Sequence, residues 1–204
     1  MKFIFRQPQL YRFLNMCNEE GLEKTVLDCG AGGKMPPLSV FLENGYKTSG
    51  IEISDKQIER AEVFSKEHKV NLNISKGDMR KLPFENDSFD YVYSYNSIFH
   101  MKKADIKKAV SEIKRVLKPG GLCLVNFLSV NDEDYGKGER AGDSEFFRIE
   151  DGEKILHSYY DINEAEEYFK DMKILFKENR ILEKIYEGQK IKQGYVDYIL
   201  RKSL

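Results

Sequence analysis

Residues 26–41 read VLDCGAGGKMPPLSVF. Val26 and Leu27 are strand formers and Asp28 is the first polar side chain after them, so a strand ends on a carboxylate at the C-terminal lip of a sheet, where open α/β folds bind ligands. Gly30, Gly32 and Gly33 then let the backbone turn through unusual dihedrals and let a ligand approach closely, because no Cβ intervenes. Pro36 and Pro37 suit the first turn of a helix, where a missing N–H costs nothing. That helix continues from Leu38 and stops at Asn44-Gly45. A glycine turn alone is also found in tight βα connections that bind nothing, so the acids around it decide. A dinucleotide fingerprint reads G-x-G-x-x-G; here the pattern is Asp28-x-Gly30-x-Gly32, with Lys34 two residues on.

Lys47 to Ile53, KTSGIEI, reads as the second strand and ends on Glu52, flanked by Ile51 and Ile53. The acid lies about 20 residues past the glycine turn, the spacing at which a carboxylate on the tip of strand 2 accepts both hydroxyls of a ribose. The competing role, an acid favouring the dipole of the next helix, is already filled by Ser54 and Asp55. Lys56 to Glu67 is a helix with Ile58, Ala61, Val63 and Phe64 on its buried side, and Leu72 to Ser75 is a short third strand. Gly77-Asp78-Met79-Arg80-Lys81-Leu82-Pro83-Phe84 follows, which in isolation is turn chemistry. Asp90 opens the fourth strand, and Ser94 to His100 lie along the lip of the sheet beside the glycine turn. Ala104 to Leu117 is a helix whose Ile106, Ala109, Val110, Ile113 and Val116 face the sheet, and Lys118-Pro119-Gly120-Gly121 turns into a fifth strand, LCLVNFL.

The acid-x-Gly-x-Gly turn, the Gly-Asp-apolar element, the L-P-F…S-F-D entry into strand 4 and the K-P-G-G connection occur in order between Val26 and about Leu128. Together they resemble the class I S-adenosylmethionine-dependent methyltransferases, in particular the small-molecule type with a methyltransferase-11-like domain. One departure is visible: the family's third glycine is displaced, with Gly33 and Lys34 at the last two places. The resemblance implies S-adenosylmethionine as cofactor and S-adenosylhomocysteine as product. It implies that Asp28, Gly30 and Gly32 hold the methionine part, Glu52 with Ile53 the ribose, and Asp78 with Met79 the adenine. Ser94 and Tyr95 then stand at the methyl end. An acceptor for an exocyclic amine beside an apolar side chain also matches an adenine edge and face. No catalytic residue is singled out. Tyr95 and His100 are the candidates, and a His after Ile98 and Phe99 is more often a packed side chain holding the loop.

Outside this core, Gln9 to Glu20 has Leu10, Phe13, Leu14 and Cys17 at helical spacing; it either covers a sheet edge or brings Tyr11 and Arg12 to the site. Ser129 to Ser144 is a polar, Gly-rich loop at the ligand edge. Phe146–Ile149 and Ile155–Tyr160 pair as a hairpin around Asp151-Gly152, and Tyr135, Phe147, His157, Tyr159 and Tyr160 either line an acceptor pocket or simply pack. Asn163 to Lys170 reads as a capped helix, and 173–187 and 195–202 as two last strands around Gly188 and Gly194.

The chain has 204 residues, a net charge of −1 and three cysteines in no metal-ligand spacing. That length suits one α/β domain, the charge gives no global pull toward nucleic acid or membrane, and the thiols read as buried and reduced. The basic run Lys102 to Arg115 is interrupted by Asp105 and Glu112 and reads as a solvated face. The start, MKFIFRQPQLYRF, makes a poor signal peptide, so a cytoplasmic protein is expected. We therefore expect residues 1–204 to form one Rossmann-like three-layer α/β sandwich, with a seven-stranded, mostly parallel sheet whose last strand is antiparallel. Within it, 1–23 form an N-terminal helical cap, 24–128 the cofactor core, 129–162 an acceptor-side insertion, and 163–204 a helix with the last two strands. The expected activity is direct in-line methyl transfer to a small-molecule acceptor, with no metal, nucleic acid or membrane involved and an open oligomeric state. A non-catalytic adenosyl-binding or partner-binding module shares the same motifs, and a nicotinamide-dependent oxidoreductase shares the fold and Glu52 but not Asp28 or the Asp78 element.

Overall fold

Val26, Leu27 and Cys29 have no exposed surface, because their strand, β1 (Thr25–Cys29), lies in the middle of a sheet between parallel neighbours β2 (Lys47–Glu52) and β4 (Phe89–Ser94). The computed structural model describes residues 7–150 and 152–204; the MKFIFR start and Asp151 of the expected hairpin turn lie outside them. Outward from β2 comes β3 (Ile74–Lys76), and outward from β4 comes β5 (Leu117–Ser129), both parallel. β5 then pairs antiparallel with β10 (Gln189–Lys202), which pairs antiparallel with β9 (Met172–Tyr186). The expected seven strands therefore run β3-β2-β1-β4-β5-β10-β9, with β10 alone reversed. Three further strands bring the sheet to ten. They are β6 (Glu139–Gly142), β7 (Glu145–Glu150) and β8 (Glu153–Tyr160), an antiparallel meander hooked onto the end of β5 at Leu128–Tyr159 and Ser129–Tyr160.

Side chains alternate between the two faces with the strand period of two. Tyr91 and Tyr93 of β4 and Leu122 and Leu124 of β5 join one core with Phe13, Leu38, Phe41 and Phe64. These last come from α1 (Pro8–Glu19), α2 (Leu38–Glu43) and α3 (Asp55–His68). Val92, Cys123, Val125 and Phe127 face the other way, onto Ile106, Val110, Ile113 and Val116 of α4 (Lys103–Val116). Three layers result. Phe41 stacks on Tyr93 with ring centres 5.2 Å apart, and Phe13 meets both edge-on.

Several local expectations are corrected. Val63 is 53% exposed, not on the buried side of α3; Ala61 and Phe64 alone are enough to seat that helix. The K-P-G-G residues belong to β5, which bulges there: Phe89 pairs with Leu117 but Tyr91 with Leu122. Residues 164–169 form a 3₁₀ helix without a side-chain cap, because the Asn163 carboxamide oxygen accepts from Lys177 instead, at 2.6 Å. Gly194 is inside β10, not at its border: a Cβ there would sit 2.7 Å from the Asp132 nitrogen. The β9–β10 turn is Glu187-Gly188, both at positive φ, the two-residue geometry that matches strand twist. Among the described residues no helix is long and apolar enough to cross a membrane.

Candidate functional site

The chain leaves β1 at Cys29 and crosses the sheet's C-terminal edge. Gly30 and Ala31 donate to the Ile51 carbonyl at 2.8 and 3.1 Å, and Gly33 donates to the Gln57 carbonyl at 2.9 Å. Gly30 has φ +103, and a Cβ on it would lie 1.9 Å from Ser97 Oγ; one on Gly32 would lie 2.5 Å from Gln57 Cβ and 2.8 Å from Glu52. Packing within the protein itself therefore demands both glycines. Gly30→Ala is expected to destabilise the fold by about 2 kcal/mol, from its positive φ and the displaced Ser97, read as a lowered thermal midpoint.

Glu52, the last residue of β2, is held from two sides: Oε2 accepts from Gly32 N at 3.1 Å and Oε1 from Ser54 N at 2.8 Å. Ser54 also accepts from Gln57 N and so caps α3. The carboxylate is thereby fixed on the wall of a cleft of about 770 Å³, with lone pairs left on both oxygens. The same cleft is lined by Gly30, Gly32, Ile53, Asp78 and Met79, so with Glu52 six of the nine predicted cofactor-binding residues meet there. Asn96, Ser97 and His100 also line it, as do Ile155 and Leu156 of β8.

Three predicted residues stand behind this wall. Asp28 is 2% exposed, and its Oδ2 and the Tyr93 hydroxyl are buried without hydrogen-bond partners. Burial pushes the Asp28 pKa up to about 8, with Tyr93 opposing and the Glu52 carboxylate adding to the rise. Ser94 is fully buried and donates to the Cys29 carbonyl at 2.8 Å, tying β4 to β1. Tyr95 donates to Gln9 Oε1 at 3.2 Å and accepts from Arg180 Nη2 at 3.4 Å, and Arg180 is itself paired with buried Asp197 at 2.7 Å. Burial raises the Tyr95 phenol well above its ordinary value. It is a packed donor, not a base.

His100 sits on a 3₁₀ turn (Ile98–His100). Its Nδ1 lies 3.3 Å from the Leu156 carbonyl; a carbonyl only accepts, so Nδ1 carries the proton and the lone pair is on Nε2. His100 keeps exposed surface, and its partial desolvation against the cleft wall, with His157 beside it, lowers the ring's pKa below the ordinary imidazole value.

Asp78 and its neighbour form an arrangement that sequence reasoning missed. Arg80 donates to Asp78 from Nη2 at 2.6 Å and from Nε at 2.9 Å, and to Asp105 from Nη1 at 3.0 Å. The guanidinium holds the Asp78 carboxyl below the usual carboxylate range. Asn126 was also missed, although a lone amide inside LCLVNFL is a signal. It exchanges two 2.7 Å hydrogen bonds with Asn96, which it holds at φ +55 on the cleft wall.

Other expected contributors lie elsewhere. Arg12 pairs with Glu178 and covers the Phe176 ring. Tyr135, Phe146 and Tyr159 pack on one another, Tyr160 packs on Phe127, Phe147 lies under Lys154, and His157 faces Glu150. None of these rings, nor Tyr11, lines the cleft.

The methyltransferase domain family matches residues 27–125. A sterol 24-C-methyltransferase from Pneumocystis carinii is 35% identical over 158 residues, 66% of this chain and 41% of that protein. A 27-O-demethylrifamycin SV methyltransferase from Amycolatopsis mediterranei is 34% identical over 110 residues, 52% of this chain and 39% of that one. This chain thus spans about 40% of the length of these relatives. An S-adenosylmethionine-dependent methyltransferase from Clostridium acetobutylicum shares the fold, with TM-score 0.73 and 17% identity over 98% of this chain and 93% of that one. The matched span runs from β1 through the glycine turn, Glu52 and the Gly-Asp element into β5, so residues 27–125 match the methyltransferase domain family, and the chain shares the fold of the S-adenosylmethionine-dependent enzyme.

Proposed function

We propose that this protein transfers the methyl group of S-adenosylmethionine directly to a small-molecule acceptor. The observation that carries the reading is the meeting in one cleft of two carboxylates: Glu52, anchored through one main-chain N–H on each oxygen, and Asp78, in sequence beside Met79.

Bound there, S-adenosylmethionine supplies a methyl group already activated by its sulfonium. What remains for the chain is binding, alignment and exclusion of water. Glu52 accepts the ribose hydroxyls, Asp78 the exocyclic amine, and Met79 covers the base. Gly30 and Gly32 admit the amino-acid end, and a cationic group bound there would draw the buried Asp28 carboxyl behind them into its carboxylate form. Ile155 and Leu156 shield the cleft, and His100 Nε2 takes the proton of an acceptor that is protonated at neutral pH. On this reading residues 24–128 hold the adenosyl group and 129–162 face the acceptor. The relatives, one named for a sterol and one for a rifamycin, support a small organic acceptor. Cys17, Cys29 and Cys123 are free and buried, which supports a reducing, cytoplasmic setting.

The test is incubation of the protein with methyl-labelled S-adenosylmethionine and either an organic-solvent extract or a polar small-molecule extract of cells. Label should move into a small-molecule fraction, and His100→Gln should slow that transfer about tenfold or more. Label that stays on the cofactor with both extracts would count against methyl transfer.

A further inference from the structure

Asp78 is not a free carboxylate waiting at the cleft wall. Its Oδ1 accepts from the Arg80 main-chain N–H at 2.9 Å, its Oδ2 accepts from Arg80 Nη2 at 2.6 Å, and Arg80 Nε shares its single hydrogen between the two oxygens at 2.9 Å each. The guanidinium is held in turn from the opposite side, by Asp105 in the first turn of α4 at 3.0 Å. Asp105 is steadied by Lys108 at 2.9 Å. All three residues of the chain Asp78–Arg80–Asp105 line the cleft.

We infer that Arg80 is a positioning residue for base selectivity: clamped between two carboxylates, it fixes Asp78 so that its remaining lone pair meets an exocyclic amine, making the site select adenine over a 6-oxo purine. The inference rests on the adenosyl placement proposed above.

Two physical points support it. With side-chain exposures of 37% for Arg80 and 34% for Asp78, the pair adds little to folding stability; what a forked guanidinium adds is orientation, through two donors in a fixed plane. Removing the cation also leaves Asp78 without its counter-charge beside Asp105, which keeps Lys108, and with the main-chain N–H as the remaining hydrogen bond on the Asp78 carboxylate. The selectivity follows from donor counting. The carboxylate takes three hydrogens from Arg80 against about four lone-pair sites, so it accepts one more donor: an amine is bound and a carbonyl oxygen in its place is repelled.

The experiment is calorimetric titration of the full chain with S-adenosylhomocysteine and with S-inosylhomocysteine, which carries an oxygen in place of the adenine amine. The unaltered protein should prefer the adenosyl ligand by about 30-fold, a charge-assisted hydrogen bond lost. Arg80→Met should weaken the adenosyl ligand by about tenfold and shrink the preference to about threefold or less, with an unchanged thermal midpoint. Arg80→Lys should restore part of the preference, because charge between the carboxylates returns without the fork. Asp105→Asn, which loosens the far anchor, should reduce the preference by about twofold. An Arg80→Met protein with the full preference, or one weakened equally for both ligands, overturns the inference. Failure of the unaltered protein to bind S-adenosylhomocysteine at all overturns the adenosyl placement itself, a distinct result.

Discussion

Glu52→Ala is expected to weaken binding of S-adenosylhomocysteine by at least about 100-fold in a calorimetric titration, the loss of two hydrogen bonds to a charged acceptor. The side chain works in two directions at once. Toward the protein it accepts from Gly32 N and Ser54 N, pinning the glycine turn to the start of α3; toward the cleft it offers its remaining lone pairs. Alanine removes both, leaving two main-chain donors to water and the turn without its strut. Glu52→Gln should fall between, because one oxygen survives while the amide brings a donor toward a hydroxyl. The strands around the turn are buried and parallel, so circular dichroism should remain unchanged, which separates a binding defect from unfolding.

The second large effect concerns Asp28. Its carboxyl ionises near the ordinary value of 3.8 when exposed and only near about 8 in the fold, because burial penalises the charge. Between those limits the folded state holds a proton that the unfolded chain has released. Stability present in full below pH 4 is therefore lost as pH rises, and the loss is complete at about pH 8. The difference amounts to something on the order of 5 kcal/mol. Asp28→Asn removes the titration, and the variant free of ligand should melt about 10 °C above the unaltered protein at pH 8, with the two converging near pH 4. Ligand binding should move the opposite way: affinity of the unaltered protein for S-adenosylhomocysteine should rise between pH 6 and 8 as the carboxylate forms, while Asp28→Asn binds weakly and without that rise. Equal melting at pH 8 would show that the fold does not raise the Asp28 pKa.

The parts of this molecule that could be read directly are those whose causes are local. The strand–glycine–helix turn, the spacing to Glu52 and the alternation in β4 and β5 each depend on neighbours within a few residues or on the strand period. Asn163 was misread because its side chain is taken by Lys177, fourteen residues on. Gly194 was misread because Asp132 packs against it from another loop. In the site, Ser94 and Tyr95 seemed to be at the lip, yet β4 pairing carries Ser94 back onto β1 and Tyr95 toward α1. The first residue to face the cleft is Asn96. Arg80 lay in plain view beside Asp78, but its meaning depends on Asp105 in another helix. His100 was legible as a choice between base and packed ring; the Leu156 carbonyl, from a hairpin 56 residues away, decides its tautomer.

The most direct measurement is calorimetric titration of the purified, folded protein with S-adenosylhomocysteine and, separately, with NAD. Micromolar binding of S-adenosylhomocysteine and no heat with NAD is the result predicted by a cleft in which Glu52 and Asp78 hold an adenosyl group. Silence with S-adenosylhomocysteine, or preference for NAD, would contradict it.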